Sequence, residues 1–262
     1  MSTLSATNRS RQKVLGYPVD IVDEPLALEI VETAWRQGKG LQIVTLNAEM
    51  VVAAQQDREL DRIIRHAHLI IPDGSGVVWA LRLSGQAIER LAGIDLASAA
   101  LHRAAIAGRP VALIGGRPDV LATLEKVLPK VHPGLKIVAS HHGYFTAAEE
   151  EAVVDELAGC QPELVLVALG VPKQEYFIDQ WRSAFPKAVM IGVGGSFDIW
   201  TGLSRRAPRF MQRLHLEWLY RLISEPWRWR RIGSALPRFG LQVLRDLMRK
   251  PKKPRSPDQF PD

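Results

Sequence analysis

The sequence has very little cysteine: one residue, Cys160, among 262. No internal disulfide can form, and no neighbouring thiol or histidine gives it the spacing of a metal site, so a reducing cytoplasm is the expected compartment. Long apolar runs are missing too. The longest, Leu164 to Val171, falls far short of the roughly 20 residues a membrane helix needs. Residues 1–12 are polar and carry no apolar h-region, so neither a secretory signal nor an integral anchor is expected. There is no D-x-D, the carboxylate pair that commonly holds a metal on a nucleotide diphosphate. The histidines (His66, His68, His102, His132, His141, His142 and His215) have no zinc-site pattern, so no metal and no cofactor is expected. The absence of a P-loop and of G-x-G-x-x-G argues against a P-loop NTPase and a dinucleotide oxidoreductase.

What is present is enough for a full core. With 47% hydrophobic and 24% charged residues, the chain should fold as one globular domain plus an appendage. A net charge of +6 calls for an anionic partner, which can be phosphate, nucleic acid or acidic lipid. From Val14 to about Gly202, short apolar runs alternate with amphipathic stretches. This is the pattern of a Rossmann-like α/β fold, a mainly parallel sheet flanked by helices. Strands are predicted at 41–46, 69–72, 111–115, 135–139, 164–169 and 189–193. Most end in Asn, Asp or Gly, and ligands bind beyond the carboxyl ends of such strands.

After Gly202 the composition changes: Arg and Trp crowd together and acids become scarce. Met211, Leu214, Trp218 and Leu222 recur at helical spacing, with Arg209, Arg213, Glu217 and Arg221 on another face, so a basic amphipathic helix is predicted. Pro226 and Pro237 are expected to break or restart it. Trp218, Trp227 and Trp229 among the arginines favour an interfacial role over a merely solvated basic face. The resulting division is a flexible N-terminus (1–12), an α/β core (13–203), a basic helical C-terminal arm (204–250) and a disordered tail (251–262).

Each candidate residue has a structural reading beside a chemical one. Thr45 and Asn47 end a buried strand and can contact a ligand, although Asn47 also suits a helix N-cap. Asp73, before Gly74 at the end of the next strand, is placed for a general base or for an ordinary turn. Arg90 can pair with a phosphate or a sugar, whereas Asp95 reads as an N-cap. Gly115 and Gly116 follow a strand and precede a helix, allowing backbone N–H groups to approach a nucleotide. Gln174 opens a helix after the most apolar strand, with an amide suited to a sugar hydroxyl or a diphosphate oxygen. Gly194 and Gly195 form the pattern of an anion-binding backbone nest. Ser196 is not a hydrolase nucleophile, because Asp198 stands where the G-x-S-x-G elbow needs glycine.

In order, these segments (TLN, PDG, RLAGIDL, GVPKQE, GVGGSFDIWTG with RRAP, and EWLYRLISEPWRWRR) resemble the WecG/TagA/CpsF family, glycosyltransferase family 26, over about Val14 to Arg231. The resemblance implies an inverting, metal-independent transfer of a sugar from a UDP-sugar donor to a polyprenyl-diphosphate-linked saccharide. The transfer would take place at the cytoplasmic membrane surface, in the synthesis of cell-surface polysaccharide or exopolysaccharide. It further implies Asp73 as general base, with Thr45, Asn47, Arg90 and Gln174 in the same pocket. Arg221, Arg228 and Arg231 would be arm residues that close over the donor diphosphate. The donor sugar stays open among N-acetylmannosamine, its uronic acid and glucose.

The alternative is a nonenzymatic nucleotide or nucleic-acid binding module using the Arg/Trp arm; the resemblance instead implies no nucleic acid partner. An arm that folds down only at a membrane would leave apolar surface exposed in solution, so a homo-oligomer is a further expectation.

Overall fold

The computed structural model describes residues 9–213, 216–224 and 229–249. The chain opens with an antiparallel hairpin, β1 (Ser10–Val14) and β2 (Tyr17–Ile21). Ser10, Arg11 and Gln12 were expected in a flexible N-terminus but lie in β1. The cause is tertiary: Asp20, fully buried, accepts from Arg11 Nε at 2.8 Å and from the Ile70 backbone N–H at 2.8 Å. Arg65 stacks 4.8 Å from the centre of the buried Tyr17 ring, adding a cation–π contact.

After α1 (Glu24–Gln37), the strands β3 (Leu41–Leu46) and β4 (Leu69–Pro72) bracket the helices α2 (Ala48–Ala54) and α3 (Arg58–His66). Next come α4 (Ser75–Leu83), α5 (Gly93–Ala107), β5 (Pro110–Gly115), α6 (Pro118–Val131), β6 (Lys136–His141) and α7 (Glu150–Gly159). The core closes with β7 (Leu164–Ala168), α8 (Lys173–Trp181), β8 (Val189–Gly192) and α9 (Ser196–Trp200). All pairings among β3 to β8 are parallel, in the order β4-β3-β8-β7-β5-β6. The fold is the expected Rossmann-like parallel sheet flanked by helices. β3 and β4 are buried along their whole length because helices cover both sheet faces, which is why apolar side chains stand on both faces of each.

Helices α1, α5 and α6 cover one face. The hairpin, α2, α3 and α4 pack on the other face, as do α7 and α8. The crossovers leaving β5 and β7 therefore depart to opposite faces, making the gap between those strands a topological switch point. Gly115 sits there at φ +113°, where a Cβ would overlap the Ala168 backbone. Glycine is required for these two strand ends to approach so closely.

The C-terminal arm comprises α10 (Arg209–Arg213), α11 (Glu217–Ser224) and α12 (Trp229–Arg249). The single helix predicted through Met211 and Trp218 is two helices. The Leu216 N–H reaches back to the Met211 carbonyl at 2.8 Å, while the Leu216 carbonyl accepts from Leu219 and Tyr220 as α11 begins, so α10 and α11 are separate helices. Pro237 was expected to interrupt the arm, but α12 runs through it. Tertiary packing holds it there. Phe239 and Val243 bury in the cluster of α2 and α4, each worth roughly 1.5–3 kcal/mol. Among the described residues no helix is long and apolar enough to cross a membrane.

Candidate active site

The site forms where the carboxyl ends of β3, β4 and β8 meet the loop after β7. A cavity of about 240 Å³ opens there, lined by Thr45, Asn47, Asp73, Arg90, Gln174, Gly194 and Gly195 among others. Seven residues singled out from sequence are thus brought together. The arm contributes Glu217, Trp218 and Leu236 to the same wall.

Asp73 is fixed by its backbone, its N–H donating to the Leu46 carbonyl at 3.1 Å while that of Gly74 donates to the same oxygen at 3.2 Å. A Cβ on Gly74 would stand 2.8 Å from that of Asn47, so only glycine lets the β4 loop lie against the end of β3. The Asp73 side chain is a quarter exposed, and its Oδ1 accepts from Arg90 Nη2 at 3.1 Å. Among the described residues Oδ2 has no partner, which leaves one carboxylate oxygen for a proton.

Arg90 is pinned by three donors. Nε donates to the Asp73 carbonyl, Nη2 to Asp73 Oδ1 and Nη1 to Glu217 Oε2 at 2.7 Å. Burial works against its charge, but the carboxylates of Asp73 and Glu217 outweigh that effect and hold its pKa above the ordinary arginine value. The fork is occupied by protein oxygens, so Arg90 orients the Asp73 carboxylate.

Asn47 is the N-cap of α2, its Oδ1 accepting from Met50 N–H at 3.0 Å, and it also lines the cavity. Thr45 is buried, its hydroxyl 3.4 Å from the Gly192 carbonyl. Gln174, only 1% exposed, is fixed at both ends. Its Oε1 accepts from Gly194 N–H at 3.0 Å and its Nε2 donates to Glu175 Oε1 at 2.8 Å. The Gly194 amide is therefore occupied by a side chain. Asp95 is not the N-cap predicted for α5. Ala92 holds that position, and Asp95 in the first turn takes a bidentate pair from Arg206 at 2.5 and 2.7 Å.

Arg228 lies outside the described residues, as do the side chains of Arg221 and Arg231, whose backbones are in α11 and α12. Two carboxylates escaped sequence reasoning. Glu217 was read as one position in a charged stripe on a basic amphipathic helix, but it is buried against Arg90. Its signal was being one of very few acids in a cationic segment. Glu175 is fully enclosed, its Oε2 has no partner, and burial pushes its pKa up to about 8 despite the Gln174 hydrogen bond. No local pattern marked it, because its environment comes from β8 and the loop before α8.

A second cleft opens at the switch point between β5 and β7, sharing the loop after β7 with the first. Gly116, Arg117, Tyr144, Lys173 and Asp198 line it. It combines backbone at a glycine turn, an aromatic ring and two cations, a chemistry suited to a nucleotide. Among the described residues no group of three or more His, Cys, Asp or Glu side chains could hold a metal ion.

The model of the glycosyl transferase WecG/TagA/CpsF family matches residues 12–253. An N-acetylglucosaminyldiphosphoundecaprenol N-acetyl-β-D-mannosaminyltransferase of Bacillus spizizenii is 40% identical over 232 residues, covering 87% of this chain and 89% of the relative. A protein of the same name from Bacillus subtilis is 40% identical over 208 residues, covering 79% and 80%. The ordered cavity residues and a match over nearly the whole chain lead to one conclusion: the chain belongs to the WecG/TagA/CpsF family and is a glycosyltransferase.

Proposed function

We propose that the chain transfers N-acetylmannosamine from a UDP donor to a hydroxyl of N-acetylglucosamine carried on a polyprenyl diphosphate, with inversion and without a metal. The supporting observation is Asp73, held at the end of β4 by backbone and by Arg90, with Oδ2 open to the cavity. Acceptor and donor sugar are taken from the names of the two Bacillus relatives.

In the proposed step Asp73 Oδ2 takes the acceptor hydroxyl proton as that oxygen bonds to the anomeric carbon. The bond from that carbon to the diphosphate oxygen breaks on the opposite face, and its electron pair leaves with UDP. The glycine-flanked cleft between β5 and β7 receives the nucleoside. Arg221, Arg228 and Arg231 of the arm neutralise the departing diphosphate, since guanidinium forks match phosphate oxygens. Peripheral attachment to the inner membrane surface brings the enzyme to a lipid-borne acceptor. The arm suits this role because Phe210, Ile223, Leu241, Leu244 and Met248 expose apolar side chains on its helices.

The deciding experiment is UDP release over a panel of UDP-sugars with a short polyprenyl-diphosphate N-acetylglucosamine acceptor and EDTA present. UDP-N-acetylmannosamine should support release at an undiminished rate. Release with another donor only would refute the sugar assignment, and abolition by EDTA would refute the metal-free mechanism.

A further inference from the structure

Arg90 carries one positive charge and faces two carboxylates, Asp73 from the core and Glu217 from the arm. Glu217 is buried at the start of α11, and the chemical step as described does not use it. Its second oxygen lies 4.0 Å from Arg206 Nε, and Arg206 is itself held by Asp95 of α5. An alternating row of charges (Asp73, Arg90, Glu217, Arg206, Asp95) therefore runs from the base to the arm and back into the core. Among the described residues, the other charged side chain lining the cavity is Glu49 of α2.

We propose that Glu217 is a positioning residue through which the seated arm sets the general base: it holds the Arg90 guanidinium by one edge, so that Asp73 keeps an oxygen open for the acceptor hydroxyl. A guanidinium is a rigid planar fork, and an unopposed carboxylate beside it tends to close into a bidentate pair. Such closure here would cover both Asp73 oxygens and leave neither open to the acceptor hydroxyl. Glu217 prevents it by claiming Nη1 and by sharing the cation's charge. The base is then competent only when α11 is in place, which couples arm docking to the chemistry as well as to closure over the donor. The inference rests on the assignment of Asp73 as base.

The test uses the full chain and two readouts, UDP release and thermal unfolding. In Glu217→Gln the kcat should fall about tenfold, with a smaller change in donor KM and a melting temperature close to wild type, because the open carboxylate oxygen is lost while the fold and the donor site stay intact. Glu217→Asp, which keeps the charge, should recover part of the lost kcat. An unchanged kcat in Glu217→Gln, or a fall matched by an equal rise in donor KM or by a loss of folding, overturns the proposal. If the wild type releases no UDP from any donor, the assigned function fails and the proposal falls with it.

Discussion

Replacing Glu175 with glutamine should make the protein more stable at neutral and alkaline pH, although it exchanges a buried carboxyl beside Gln174 for an amide. In the folded state Glu175 holds its proton until about pH 8, against 4.5 when exposed, and burial is the main cause. A raised acid pKa stabilises the fold fully below the unfolded value, and that contribution is lost as pH climbs toward the folded value, because the unfolded chain releases its proton first. Across pH 4.5 to 8 the folded state loses stability relative to the unfolded state. Linkage puts the loss at roughly 3 kcal/mol by pH 7 for this pair of pKa values. Glutamine has no such dependence. It can still accept from Gln174 Nε2, but it leaves an amide where Oε2 has no partner, costing about 1 kcal/mol at every pH. Urea unfolding followed by tryptophan fluorescence should find Glu175→Gln equal to or slightly below wild type at pH 5 and about 2 kcal/mol above it at pH 7. A variant destabilised equally at both pH values would refute the reasoning, because it would mean that Glu175 is already ionised or paired in the fold.

Other perturbations have different readouts. Asp20→Asn leaves Arg11 without its buried counter-ion and should lower stability by about 2–3 kcal/mol, as a shift of the urea midpoint at constant slope. Gly115→Ala forces a side chain into the Ala168 backbone at positive φ; it should weaken donor binding or folding, visible as a raised donor KM or a lowered melting temperature. Deleting the chain after Gly202 removes Glu217 and the arm arginines together and should abolish both turnover and sedimentation with anionic vesicles, and survival of both would contradict the roles given to the arm.

The sheet was legible because its strands are buried on both faces and stop at polar or glycine residues: 41–46 and 69–72 match β3 and β4 to the residue. The cavity residues were legible for the same reason, since strand ends converge wherever a parallel sheet is covered on both sides. Misreadings came where distant parts of the chain decide. Arg11 joins a strand because of Asp20 and Ile70, and Asp95 leaves the cap position because Arg206, 111 residues away, claims it. The break between α10 and α11 was hidden because the apolar spacing continues through it. Glu217 looked like one more charge on a helix face for that reason, although it lies against Arg90. Pro237 follows a local rule that packing of Phe239 and Val243 overrides.

The most direct measurement is of the product itself. Wild type and Asp73→Asn are incubated with α-linked UDP-N-acetylmannosamine and the lipid-diphosphate acceptor, and the disaccharide is isolated and its anomeric coupling read by NMR. A β-linked product from wild type, with turnover lower by roughly 10² to 10⁴ in a folded Asp73→Asn, is the predicted result. An α-linked product, or full activity without the Asp73 carboxylate, would contradict it.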